Sequence, residues 1–270
     1  MQTINAKSYY EILKQQSSRL LPATEYSYMV PVAKQQEEIE CLKNAVHYER
    51  FFFVVNNYDL NIEQVHGVKK WLGYSDKDFS YYKYASLIHP THLLAQLTNV
   101  YGLLEDFMAG VYPLEFMAGF RFISCLALKH ANGEYLFFKR LAWPFQFDNK
   151  NRLLSYMNEF TLLGKYKNES YSVRLTDAAG NPVLFKKKAM HDAYAAIDNM
   201  PFSEQELNVL GIYAADNSLT AAKVAGTLNI KENTVITYKK RILNKAEKVF
   251  YRRFKTTADV AVFLKEQGLI

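Results

Sequence analysis

The sequence predicts an α+β protein: two leading helices, an antiparallel five-stranded sheet with small flanking helices, and an all-α unit at the C-terminal end. Three observations carry this. Near the start, apolar residues recur at helical spacing. In the middle they change to strand-like runs separated by turn-forming clusters. In the last quarter helical spacing returns, together with a concentration of positive charge.

At 270 residues the chain has room for two ordinary domains. Hydrophobic residues make up 49% and charged residues 22%, which places it among globular proteins and excludes arrays and low-complexity chains. The longest mainly apolar stretch, Phe116 to Leu128, is interrupted by Arg121 and is too short for a helix to cross a bilayer of roughly 30 Å. The opening MQTINAKSYYEILKQ lacks the layout of a secretory signal, so the expectation is a cytoplasmic chain with no membrane partner. Cys41 and Cys125 stand far apart, which excludes a CxxC pair, zinc-finger spacing and a disulfide framework.

Residues 6–21 and 32–47 read as helices separated by Pro22 and Pro31. The second carries one stripe, Ile39, Leu42 and Val46, which needs a partner; another subunit is one candidate, so 1–44 is expected to serve dimerisation. From Arg50 a strand, a turn at Asn56-Asn57, a second strand and a short helix ending at Gly73 follow, then a helix over 92–108. Three long strands are expected at 115–128, 134–147 and 152–164, joined by His130-Ala131-Asn132-Gly133 and Asp148-Asn149-Lys150-Asn151. In the first run Phe116, Ala118, Phe120, Phe122, Ser124, Leu126 and Leu128 share one face, while Met117, Ile123 and Cys125 make the other face apolar too. Such a sheet must be covered on both sides. A hairpin over 170–186 and a helix over 187–198 come next, with a domain boundary between Asp198 and Pro201.

The order of these elements, with Val68-Lys69-Lys70-Trp71-Leu72-Gly73-Tyr74-Ser75 and Leu87-Ile88-His89-Pro90, resembles a PAS sensor domain over 45–165. The resemblance implies a five-stranded PAS-like sheet that senses a signal or mediates dimerisation, followed by a hairpin and connector over 166–200. Phe120, Phe122, Tyr135, Phe137 and Trp143 would line a small-molecule cavity or simply fill it, and both readings stay open. No cofactor is expected. The Asn-Cys-Arg motif of flavin photosensors is missing, and His89 and His92 at i, i+3 are read as structural, since Pro90 between them argues for a turn and no third metal ligand stands out.

The charge is local. Between Lys223 and Lys255 stand ten basic and two acidic residues, a net +8 in a chain whose total is +6, so the remainder carries −2. This is the footprint of a phosphate-neutralising segment. Ser203 and Glu206 form a capping-box pattern that opens a helix with Leu207, Val209, Leu210 and Tyr213; Thr220 caps a second helix. Leu228-Asn229-Ile230 makes a tight turn into a third helix starting near Lys231, which gives a helix-turn-helix. With about 100° per residue, Tyr238, Ile242, Ala246 and Val249 cluster around Val235, and Asn233, Thr237, Lys240 and Asn244 fall opposite. That polar face suits base edges in a major groove: Asn pairs with adenine, Lys reaches guanine, and Thr meets the thymine methyl. Ile236 on its flank is either an apolar base contact or an edge of the core. Thr220, Lys231, Thr234, Lys239, Arg241 and Lys245 are expected at phosphates.

Phe202-Ser203-Glu204-Gln205-Glu206, Val209-Leu210, Thr220 to Ala225, Leu228-Asn229-Ile230, Thr234-Val235, Ile242, Lys245 and Gly268-Leu269-Ile270 resemble a LuxR-type DNA-binding domain over 201–270. Three positions depart from that family's pattern: Ile236 replaces a basic residue, Tyr238 a His, and Asp216 a Gly. The resemblance implies a bacterial transcriptional regulator that binds double-stranded DNA as a homodimer, with RNA polymerase as a further partner, and whose last helix, about 256–267, pairs subunits. The alternative is a signalling adaptor whose basic helices contact an acidic protein. No P-loop, GxSxG or HExxH is present, so no enzyme is expected.

Overall fold

A computed structural model describes residues 5–21, 26–45, 48–183, 202–250, 253–266 and 270. The first two helices, α1 (Ala6–Leu20) and α2 (Val32–Ala45), form where the apolar spacing places them. α1 begins where the Asn5 side chain accepts the Ser8 N–H, replacing a hydrogen bond that the first turn cannot make for itself. Next come β1 (Arg50–Asn56), β2 (Ile62–His66), α3 (Val68–Leu72), α4 (Tyr81–Leu87), α5 (Pro90–Met108) and α6 (Leu114–Gly119). The long strands β3 (Arg121–Lys129), β4 (Tyr135–Phe147) and β5 (Leu153–Lys165) follow, then β6 (Ser172–Thr176). α7 (Glu204–Ala215), α8 (Ala221–Leu228), α9 (Glu232–Phe250) and α10 (Thr257–Glu266) complete the chain.

The sheet is antiparallel with order β2-β1-β5-β4-β3-β6. It therefore has six strands, not the five expected. The first half of the 170–186 hairpin pairs with the β3 edge, Arg121 opposite Thr176 and Cys125 opposite Ser172. Its turn closes at Gly180 (φ 84°), with Thr176 bridged to Pro182. Leu184 and Phe185, the connector helix over 187–198 and the boundary between Asp198 and Pro201 lie outside the described residues. Both expected turns of the meander form. Gly133 takes φ 94°, and Asn151 takes φ 59° beside an Asp148 carboxylate that accepts N–H groups from Lys150 and Arg152.

A second correction concerns residues 115–128. The strand begins only at Arg121; Phe116, Met117 and Ala118 belong to α6, which Pro113 opens in extended conformation (φ −60°, ψ 148°). The alternation read there was one turn of helix whose buried residue is Met117. The helix runs to Gly119 and ends where Phe120 turns extended; position 119 requires glycine, since a Cβ there would stand 2.6 Å from Ala178. A third correction concerns Pro90. It opens α5 at the first turn, where its missing N–H costs no bond, so His89 caps the helix and His92 lies on it.

Both sheet faces are covered within this chain. Phe51, Phe53, Phe122, Phe138 and Phe160 face α1, α3, α4 and α5 in the main core. Phe52, Val54, Phe145 and Met157 point the other way and pack under Ile39 and Leu42 of α2. Thus the α2 stripe finds its partner in the sheet of its own subunit, and the Trp143 indole N–H fixes it by donating to Glu38 at 2.7 Å. Val46 lies outside the described residues. Burying a side chain such as Ile39 or Met157 contributes about 1.5–3 kcal/mol.

Candidate functional site

The C-terminal helices are held by caps and one ion pair. The Ser203 hydroxyl accepts the Glu206 N–H at 3.3 Å and the Glu206 carboxylate accepts the Ser203 N–H at 2.8 Å, so the capping box is complete. The same carboxylate, 2% exposed, accepts from the Lys245 ammonium and ties α7 to α9. Thr220 caps α8 by accepting the Lys223 N–H. Asn229 closes α8 in the left-handed region (φ 52°), and Ile230 N–H returns to the Ala225 carbonyl at 3.0 Å. Three residues therefore separate α8 from α9. The Thr257 hydroxyl donates to the Lys239 carbonyl, and Phe250, Phe254 and Phe263 cluster where α10 meets α9.

α9 buries Val235, Ile242, Ala246 and Phe250. On the side away from them Asn233, Thr237, Lys240 and Asn244 are all exposed, and Ile236 is exposed to 40%. The structure thus brings the five residues expected at bases onto one open surface. The Thr237 hydroxyl donates to the Asn233 carbonyl at 2.9 Å, so its methyl group is the part left without a polar commitment.

The six residues expected at phosphates divide. Lys231 and Arg241 are exposed, and Thr220 and Thr234 lie at the starts of α8 and α9. Lys245 is committed to Glu206, and the Lys239 ammonium lies over the Tyr213 ring, 5.5 Å from its centroid. These two cations hold the helices together, a use their charge alone did not reveal. Asp216, where the LuxR pattern has Gly, takes φ −145° and ψ 104°, ordinary extended backbone that needs no glycine. Tyr238 is half-buried against the core.

The aromatic residues expected around a cavity are not all in one place. Phe120, Phe122 and Trp143 line a cavity of about 30 Å³ between α5 and the sheet, with Phe107, Leu153 and Arg140. Tyr135 and Phe137 instead meet Tyr166 on the other face of β4, with Tyr135 also against His89. His92 is pinned by two backbone groups: Nδ1 accepts from Ala127 N–H at 3.0 Å, and Nε2 lies 3.0 Å from the Glu169 carbonyl, to which it donates. Burial pushes its pKa down to about 4, with the Glu169 carbonyl opposing and the neighbouring His89 adding to the fall.

Arg140 was missed. It is 2% exposed, on β4 between Ser124 of β3 and Phe160 of β5. A signal existed: Lys139 and Arg140 are adjacent in a strand whose two faces are both apolar, so one of them must point under the helices.

Residues 200–247 match the family model described as bacterial regulatory proteins, luxR family. The C-terminal helical unit is a helix-turn-helix domain of that kind. Among curated proteins, none matches the chain significantly. Among solved structures, VqmA of Vibrio cholerae in complex with ligand and DNA aligns over 87% of this chain and 89% of its own, at 12% identity and TM-score 0.31. A phage VqmA bound to DPO aligns over 88% and 92%, at 12% identity and TM-score 0.28. SdiA of Escherichia coli aligns over 97% and 99%, at 15% identity and TM-score 0.27. Among the described residues, no helix is long and apolar enough to cross a membrane.

Proposed function

We propose that this chain, with its C-terminal helix-turn-helix of the LuxR type, is a bacterial transcriptional regulator that reads duplex DNA under the control of its PAS-like sheet domain. The observation that carries the reading is the open polar face of α9: Asn233, Ile236, Thr237, Lys240 and Asn244 lie together in solvent, backed by a buried stripe that packs the helix against its neighbours. Phosphate contacts fall to Lys231, Arg241, Thr220 and Thr234; Lys239 and Lys245 serve the scaffold. One such helix spans few base pairs, so two subunits on half-sites about one turn apart supply the discrimination. RNA polymerase is the expected downstream partner, in the cytoplasm, and no catalytic step is assigned.

Control has a physical route. α5 walls the cavity through Val100, Leu103, Leu104 and Phe107, and the same helix packs against α9. A ligand that shifts α5 changes the seating of α9, and it controls DNA only by as much as it prefers one seating over the other.

The test is a fluorescence-anisotropy titration of the full chain against duplexes selected from a random pool, repeated across salt. Log K is expected to fall linearly with log salt, with a slope of about −0.9 per phosphate neutralised. Lys240→Ala and Asn244→Ala are each expected to remove about 1–3 kcal/mol of discrimination, whereas Arg241→Ala weakens all duplexes alike and lowers the slope by about 1. A salt-insensitive affinity, or equal affinity for selected and scrambled duplexes, would favour an adaptor that uses its basic helices on protein.

A further inference from the structure

The inner face of the sheet contains polar chemistry that packing alone does not explain. Arg140 sits beneath the helices with its charge intact, since a guanidinium keeps its proton at any accessible pH. Its Nε donates to the Asn158 side-chain oxygen at 2.8 Å, and the guanidinium lies over the Phe122 ring, 5.1 Å from the centroid. Among the described residues Nη1 has no hydrogen-bond partner. Among the described residues no carboxylate pairs with it. The groups acting on it are the phenols of Tyr84, Tyr156, Tyr81 and Tyr9, contributed by α4, β5 and α1.

These phenols are donors. Burial first of all, then the neighbouring phenols, raises Tyr81 well above the ordinary tyrosine range, and burial likewise raises Tyr84, so both stay protonated. Tyr156 and Tyr9 link to Tyr81 through hydroxyl contacts of 3.3 and 3.4 Å. Among the described residues the Tyr84 hydroxyl has no hydrogen-bond partner. A buried cation with an unfilled donor, beside a buried unfilled hydroxyl, is an expensive arrangement in a core that could have been apolar. Arg140 also borders the cavity of about 30 Å³, whose other walls are chiefly apolar. The space is about that of two waters. Its chemistry is that of a small molecule with one negative end and a short hydrocarbon body.

We infer that this is a binding site for a very small organic acid, in which the Arg140 guanidinium takes the carboxylate and Phe107, Phe122 and Leu153 enclose the short alkyl portion. A carboxylate matches the planar fork of the guanidinium and supplies the counter-charge that the protein withholds. The cavity size restricts the acid to one or two carbon atoms. The inference deepens the reading of the sheet domain as a sensor and rests on it for any regulatory meaning; the site itself stands on the geometry around Arg140.

The experiment is calorimetric titration and thermal unfolding of the full chain with formate and acetate, each beside its primary amide, which has nearly the same shape and no charge. The acids are expected to bind and raise the unfolding temperature, with the amides at least about tenfold weaker, the loss of one charge-assisted contact. Equal effects of acids and amides overturn the site. Arg140→Met is expected to abolish acid binding. Should that variant fail to fold, the comparison of acids with amides on the unchanged chain decides, since only a site that reads the charge separates the two. A DNA titration with and without the best acid separates the two claims. Acid binding without a change in DNA affinity removes the sensing role and leaves the site; intact DNA binding without acid binding removes the site and leaves the regulator.

Discussion

The sheet domain and the helix-turn-helix handle polar side chains in opposite ways. Along α9, Asn233, Thr237, Lys240 and Asn244 stand in water, where an unmatched donor costs nothing until DNA arrives. Beneath the sheet, Arg140, Tyr84 and His92 are buried, and each must be matched by the protein or leave a cost in the folded state. The difference teaches where stability and recognition are separable. On α9 the reading face lies opposite the packed face, so one can change without the other. In the sheet domain the polar residues are themselves part of the core.

The sharpest way to break this contrast is to cut both faces of α9. Ile242→Ala, at a fully buried position, is expected to destabilise the helical unit by about 2–5 kcal/mol. Asn244→Ala, six-tenths of a turn further on the open side, is expected to change stability by no more than about 0.5 kcal/mol while altering DNA discrimination. Urea unfolding of both variants beside the unchanged chain is the measurement. A large stability loss in Asn244→Ala would show that the open face is structural.

The second test uses pH on the sheet domain. His92 is neutral when folded, with its pKa pushed down to about 4 by burial, against 6.5 for an ordinary histidine. The unfolded chain therefore binds the proton more readily. The stabilisation is fully present above about pH 6.5 and is lost as pH falls toward 4, reaching on the order of 3 kcal/mol. Unfolding free energies at pH 7 and pH 5, which span only part of that range, should differ by about 2 kcal/mol, and His92→Gln should remove most of that slope. His89 beside it is lowered by burial too, so its own titration accounts for part of any slope that remains. A His92→Gln protein with the same pH dependence as the unchanged chain would mean that the histidine is solvated.

How much of this was legible follows from the same contrast. The α9 face was readable because a helix on a surface writes its environment into a period of 3.6: Val235, Ile242 and Ala246 inward, Asn233, Thr237 and Asn244 outward. The capping box at Ser203 and Glu206 and the turns at Gly133 and Asn151 were readable because each depends on a few adjacent residues. What escaped depended on partners distant in sequence. β6 reads as its own hairpin until β3 offers a free edge. Phe116 to Ala118 alternate like a strand, but they lie in a short helix that Pro113 opens. Tyr135 and Phe137 looked like companions of Phe122, yet they lie on the opposite face of β4 from Arg140 and Phe138. Lys245 was counted as free charge because Glu206 lies 39 residues away.

That last pair allows the finest cut through the comparison, since Ser203 and Glu206 belong to the helical unit but carry one of its few buried polar groups. Ser203→Ala removes the hydroxyl that accepts the Glu206 N–H and is expected to cost about 1 kcal/mol. It leaves the carboxylate on Lys245. Glu206→Gln keeps an oxygen for the Ser203 N–H but withdraws the charge opposite an ammonium whose side chain is 26% exposed, so Lys245 can turn toward solvent. The cost should then stay near that of the lost cap, and a free cation appears beside Arg241 and Asn244. If Lys245 is held back from DNA only by Glu206, Glu206→Gln steepens the salt dependence of DNA binding by close to one phosphate, whereas Ser203→Ala leaves the slope alone. An unchanged slope in both variants would mean that Lys245 cannot reach a phosphate from its place on α9, and the division of the basic residues into scaffold and contact would then be fixed by geometry rather than by the ion pair.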